Sequence, residues 1–188
     1  DLKTIESKNW FVYEQGRKLW RKPACGQFYI HLDVWYRDRP WVNKADSDFL
    51  DYLKRQGGIS IYRDGINILA AEWGAETDWL GLRQRQISQA YRMSYYHMMG
   101  NIEIDQSANI DLIDKTNREG MINNRASRDM TELVKAITYF VELDYIGKRD
   151  EYRALSGDII KEPRPLRKFS KQSAKIISNI NQNYDIAL

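Results

Sequence analysis

Asp64-Gly65 stands between two β-rich runs, Ile59-Ser60-Ile61-Tyr62-Arg63 and Ile66-Asn67-Ile68-Leu69. A two-residue hairpin follows from that arrangement. Both central positions of such a turn need positive φ, and Asp-Gly reaches it at little steric cost. The chain is therefore committed to an antiparallel strand pair over 59–69, and the rest must supply a sheet or a layer to cover it.

The other elements are read against that pair. Residues 25–37 alternate, with Phe28, Ile30, Leu32, Val34 and Tyr36 on one face and Tyr29, His31, Asp33 and Trp35 on the other. This predicts a half-buried strand long enough for a central place in a sheet. Asp46 or Ser47 can cap a short helix carrying Phe49, Leu50 and Leu53, ending before Gly57-Gly58. Residues 72–96 read as a long connection, a kind that is usually functional or mobile. A further strand spans His97 to Asp105, with Met98, Gly100, Ile102 and Ile104 on one side.

Asn123 or Asn124 can cap a helix on which Met130, Leu133, Val134, Ile137, Phe140, Val141 and Tyr145 recur at helical spacing, with Gly147 as its stop. Pro163 and Pro165 then break the chain, and 166–182 reads as a weaker basic helix. Residues 1–22 are aromatic and basic, irregular or in short strands. The order predicts an α+β fold: one mixed or mostly antiparallel sheet with helices on one face. It also divides the chain into an N-terminal segment, 1–23, a domain over 24–147 and a basic extension over 148–188.

Composition narrows the function classes. A chain of 188 residues with 43% apolar and 29% charged residues reads as globular. No apolar run approaches the roughly 20 residues that span a bilayer, and no signal peptide is visible at the start, so a cytoplasmic location and no membrane partner are expected. The single cysteine, Cys25, excludes an internal disulfide and reads as a small buried hydrophobe. The net charge of +3 is uneven: residues 147–188 carry nine Lys/Arg and five Asp/Glu, and the remainder sums to −1. No Walker-type phosphate loop or nucleophile elbow is present, and His31 and His97 have no metal-ligand spacing, so no metal site is expected. The chain reads as part of a larger machine, a fragment inactive by itself.

One stretch can still carry chemistry. Asp111-Leu112-Ile113-Asp114-Lys115-Thr116-Asn117-Arg118-Glu119-Gly120 follows a strand and precedes the long helix. Arg118 is thereby placed on a short loop at a sheet edge, where a guanidinium can grip a phosphate with two parallel donors and cannot lose its charge. The bland reading of Arg118 is a surface cation paired with Glu119. Asn117 and Thr116 either contact phosphate or shape the loop. Arg83, Arg85 and Arg92 form either a solvated basic surface or a mobile loop that meets a nucleotide.

The motifs, taken in order, resemble the transducer domain that follows the ATP-binding domain in GHKL ATPases, the superfamily of gyrase B subunits, MutL-type repair proteins, heat-shock ATPase chaperones and MORC-type proteins. Asp111-Leu112 and Arg118-Glu119, with five residues between, have the spacing of the chaperone motif. The closest likeness is to bacterial histidine-kinase-like ATP-binding proteins. It is carried by Gly57-Gly58-Ile59-Ser60-Ile61-Tyr62-Arg63-Asp64-Gly65, by Asp78-Trp79-Leu80-Gly81-Leu82 with Arg83, Arg85 and Arg92 after it, by Met98-Met99-Gly100-Asn101-Ile102-Glu103-Ile104 and by Thr116-Asn117-Arg118-Glu119-Gly120-Met121-Ile122. The likeness covers roughly residues 24–146. It departs where an Asn-Pro pair is usual after Leu82 and Ile87-Ser88-Gln89-Ala90 stands here. The superfamily's own ATP-binding motifs are absent from this chain.

That resemblance implies a conformational switch. Arg118 would reach the γ-phosphate of ATP, bound with Mg2+ chiefly by an N-terminal ATP-binding domain of the same protein, with Asn117, Arg92 and Arg85 as further nucleotide contacts. It also implies a homodimer in the ATP state. A different class of reading is a stand-alone binding module for nucleic acid or a protein partner, in which Tyr29, Trp35 and Tyr62 stack bases and the six basic residues between Lys161 and Lys175 steer the strand.

Overall fold

A computed structural model describes residues 10–14, 16–36, 47–70, 78–88, 93–116 and 120–155. The chain divides into two compact units, one made of 24–128 and the other of 1–23 with 129–188.

The first unit is α+β. Its strands are β3 (Tyr29–Val34), β4 (Gly58–Arg63), β5 (Ile66–Leu69) and β6 (Met98–Ile104), joined by helices α1 (Ser47–Gln56) and α2 (Leu82–Ser88) and a 3-10 turn over Tyr95–His97. The sheet order is β3-β6-β4-β5. β3 runs antiparallel to β6, β4 antiparallel to β5, and β4 parallel to β6, so the sheet is mixed. β5 runs back along β4 towards the end where β6 starts, so the chain enters β6 parallel to β4.

The Asp-Gly hairpin forms as expected: φ is 49° at Asp64 and 81° at Gly65, and Arg63 pairs with Ile66. The strand alternation also holds. Ile59, Ile61, Ile68, Met98, Ile102 and Ile104 share one face and are all buried. A one-residue slip of register would turn such a set to water, at about 2 kcal/mol for each large side chain. On the other face the cross-strand row runs Tyr29, Glu103, Tyr62, Asn67.

Three expectations change. β3 is an edge strand rather than a central one. Its outward residues Tyr29, His31 and Asp33 are exposed while Ile30, Leu32 and Val34 are only half-buried, as suits a strand with one neighbour and one wet face. The 72–96 connection also carries structure of its own, because Asp78 caps α2 with both oxygens, accepting from Leu82 N at 2.9 Å and Arg83 N at 2.7 Å. Trp79 anchors this segment to the sheet by donating from Nε1 to the Ile59 carbonyl at 2.9 Å.

The third change concerns helix α3 (Arg125–Leu155). It does not stop at Gly147. One exposed glycine costs a helix about 1 kcal/mol, and the Asp144–Lys148 pair at 2.8 Å spans that position. The helix start agrees with the sequence: Asn124 Oδ1 accepts from Ser127 N at 2.9 Å and Ser127 Oγ accepts from Asn124 N at 3.0 Å, a reciprocal cap.

In the second unit, β1 (Val12–Glu14) and β2 (Leu19–Arg21) form an antiparallel hairpin. Arg21 grips Asp129 at the start of this unit's part of α3 with Nη2–Oδ1 at 2.8 Å, and its Nε donates to Glu14 at 2.9 Å. The Asp129 hydrogen bond raises the Arg21 pKa further, against the effect of burial. Among the described residues no helix is long and apolar enough to cross a membrane.

Candidate functional site

β6 ends at Ile104, and the next residues form a tight series of turns. Asp105 Oδ1 accepts from Ser107 Oγ, Ser107 N and Ala108 N at 2.5, 2.6 and 3.0 Å. The Ser107 hydroxyl, followed by the two backbone donors, holds the Asp105 carboxyl below its ordinary value. Asn109 is buried and fully engaged. Its amide nitrogen donates to the carbonyls of Cys25 at 2.6 Å and Gln27 at 2.8 Å, and its oxygen accepts from Asp105 N at 2.8 Å. Leu112, 3% exposed, then drops into the core.

Beyond Leu112 the chain reverses. Asp114 and Met121 form an antiparallel bridge. Lys115 N donates to Gly120 O at 2.9 Å, and Ile122 N to Ile113 O at 2.8 Å. Gly120 N donates to the Ile68 carbonyl at 2.8 Å, which fastens the returning leg to β5, the edge strand. Gly120 has φ of 101°, a backbone that side-chain-bearing residues rarely adopt. That conformation explains a glycine directly after the Asn-Arg-Glu triplet.

The outgoing leg is held by a buried cation. Arg63, 6% exposed, closes β4 on the apolar face of the sheet. Its Nε and Nη2 donate to Asp114 at 2.9 and 2.8 Å, and Nη2 also donates to the Leu112 carbonyl at 2.6 Å. Nη1 reaches Gln106 at 3.4 Å. A planar guanidinium can serve a carboxylate and a carbonyl together in this way; an ammonium cannot. The loop is coupled onward as well, since Asn124, the cap of α3, donates from its side chain to the Asp111 carbonyl at 2.7 Å.

The 114–121 reversal is therefore a short loop with one leg fixed to the inner strand β4 through Arg63 and the other to the edge strand β5 through Ile68, and its exit leads directly into α3. Of the residues singled out from the sequence, Lys115 and Thr116 are exposed on it. Asn117, Arg118 and Glu119 lie outside the described residues, as does Arg92. Arg85 lies on α2, half-buried, and Arg83 beside it is exposed. His31 pairs with Asp33 at 3.2 Å on the wet face of β3, and His97 is buried with its Nδ1 accepting from Ser94 N. Cys25 is fully buried.

The sequence reading missed Arg63 and Asp114 as partners. Its available signal was a charge out of place: alternation puts Arg63 on the face of Ile59 and Ile61, and a buried charge implies a carboxylate somewhere to meet it. Among the described residues, no group of three or more His, Cys, Asp or Glu could hold a metal ion. Comparison of the chain with protein-family models, with curated proteins and with solved structures finds no match in any of the three.

Proposed function

We propose that the chain is a transducer domain of a GHKL-type ATPase, in which Arg118 supplies a fixed positive charge to the γ-phosphate of ATP held, with Mg2+, by a neighbouring domain. The observation that carries this reading is the anchored loop: both ends of 114–121 are tied to the sheet by Arg63–Asp114 and Gly120–Ile68. A preorganised base is what a cation needs to stabilise charge that develops elsewhere, because no reorganisation is then required at the moment of reaction. The order of motifs noted in the sequence supports the same reading.

The switch follows from differential contact. The γ-phosphate binds the arrangement in which the loop meets the nucleotide, and hydrolysis removes that contact. Asn124 links Asp111 to the start of α3, so displacement of the loop is passed to the helix. ATP hydrolysis by the full-length protein, compared with Arg118→Ala, tests the reading: turnover falls while the protein stays folded.

The nucleic-acid alternative draws no support from the sheet. Tyr29 and Tyr62, two of its stacking residues, line a groove with Asp64, Glu103 and Asp105, the wrong sign of charge for a polyanion.

A further inference from the structure

The same groove points to a ligand of the opposite charge. It lies on the face of the sheet turned away from the apolar core, at the end where β4 turns and β6 stops. Its volume is about 750 Å³, and Tyr29, Tyr62, Asp64, Asn101, Glu103 and Asp105 are among its lining residues. Among the described residues, no Lys, Arg or His lines it. The chain as a whole has a net charge of +3, so the negative character belongs to this surface and not to the protein at large.

The register sets the geometry. Glu103 lies directly between Tyr29 and Tyr62 in the cross-strand row. Two strand spacings put the tyrosine backbones about 10 Å apart. That gap admits one planar cation between two rings, with the Glu103 carboxylate as its floor. Tyr29 is 72% exposed, an unusual place for a large ring to be left without a cover. Asn101 Nδ2 donates to Glu103 Oε1 at 3.1 Å and so orients the carboxylate. Asp105 follows two positions along, about 7 Å further, with Asp64 beside it on the turn; Asp64 Oδ1 accepts from Gln106 N at 3.4 Å.

We propose that this groove docks an extended basic segment of a partner protein, with an arginine stacked between Tyr29 and Tyr62 on Glu103 and a second cation two residues on, facing Asp105 and Asp64. Arginine fits the first position because its guanidinium stacks on aromatic faces and pairs with a carboxylate through two donors. The spacing matches a strand-like peptide, whose side chains at i and i+2 leave the same face about 7 Å apart. None of the described residues of the 114–121 loop lines this groove, so the proposal does not rest on the nucleotide reading.

The test is fluorescence anisotropy of the full chain with a labelled peptide of about twelve residues alternating Arg and Ser, beside an alternating Glu and Ser peptide and an oligo-dT strand of similar length. The Arg peptide binds and the acidic peptide does not. Glu103→Gln and Tyr29→Ala each weaken it by about tenfold, with circular dichroism and Tm unchanged, because one removes the charge and the other the exposed ring. Lack of Arg-peptide binding, or binding indifferent to both substitutions, overturns the proposal. Binding of oligo-dT that is lost in Tyr29→Ala also overturns it, and assigns the groove to a nucleic acid instead.

Discussion

Arg63 on β4 holds Asp114, 51 positions further along the chain, through Nε at 2.9 Å and Nη2 at 2.8 Å. One guanidinium thus ties the end of a sheet strand to the first leg of the candidate loop. It is almost closed to solvent, its side chain 7% exposed and that of Asp114 29%. The pair works as a positional constraint: the bidentate fork fixes both the height and the direction of the leg from which the loop departs.

Removing one partner of such a pair leaves the other charged and half-buried. Arg63→Ala is expected to cost about 3 kcal/mol, the lower end for breaking a buried pair, because Asp114 keeps some access to water. Arg63→Lys recovers only part of this, since an ammonium cannot serve both Asp114 and the Leu112 carbonyl in one plane. Urea unfolding of the three proteins, with the slope m compared to confirm an unchanged transition, gives both values.

The acid limb of stability contains a contribution from Asp105. Its folded pKa lies below the ordinary 3.8, so its hydrogen bonds stabilise the fold above about pH 3.8 and lose that effect as pH falls through the folded value. Asp105→Asn removes the titration. The difference in urea midpoint between wild type and Asp105→Asn is expected to be constant above about pH 5 and to shrink below the ordinary aspartate value. A difference independent of pH down to the acid transition contradicts the assignment.

Gly147 sits exposed inside α3, and among the described residues nothing beyond its own helix backbone lies within 4 Å of where a Cβ would stand. Gly147→Ala is expected to raise stability by about 0.5–1 kcal/mol, through helix propensity alone. A thermal melt detects this as a rise in Tm. A fall in Tm contradicts a continuous helix at that point.

The local parts of the fold were legible because they depend on local chemistry. Asp64-Gly65 specifies its own turn, Asn124 its own helix start, and the Met98–Ile104 alternation its own buried face. The order of strands was not legible, since neither the edge position of β3 nor the parallel β4–β6 pair leaves a signature in either strand taken alone. The β1–β2 hairpin leaves only an irregular or short-strand signal in residues 1–22. Its turn carries Lys18 at φ 53°, not an Asn-Gly or Asp-Gly pair. At the candidate site the sequence pointed to the loop and to Arg118 but not to the Arg63–Asp114 clamp beneath it, a contact set by tertiary packing between distant segments.

The central claim is that this domain delivers a charge to ATP bound next to it. The direct measurement is the ATP turnover of the full-length protein, wild type beside Arg118→Ala, at saturating nucleotide. The account predicts a loss of about 2–4 kcal/mol of transition-state stabilisation, roughly a 10²–10³-fold fall in kcat, as for removal of one preorganised electrostatic donor. Turnover that is unchanged in Arg118→Ala, or absent from the wild-type protein and from any assembly it forms, contradicts the account.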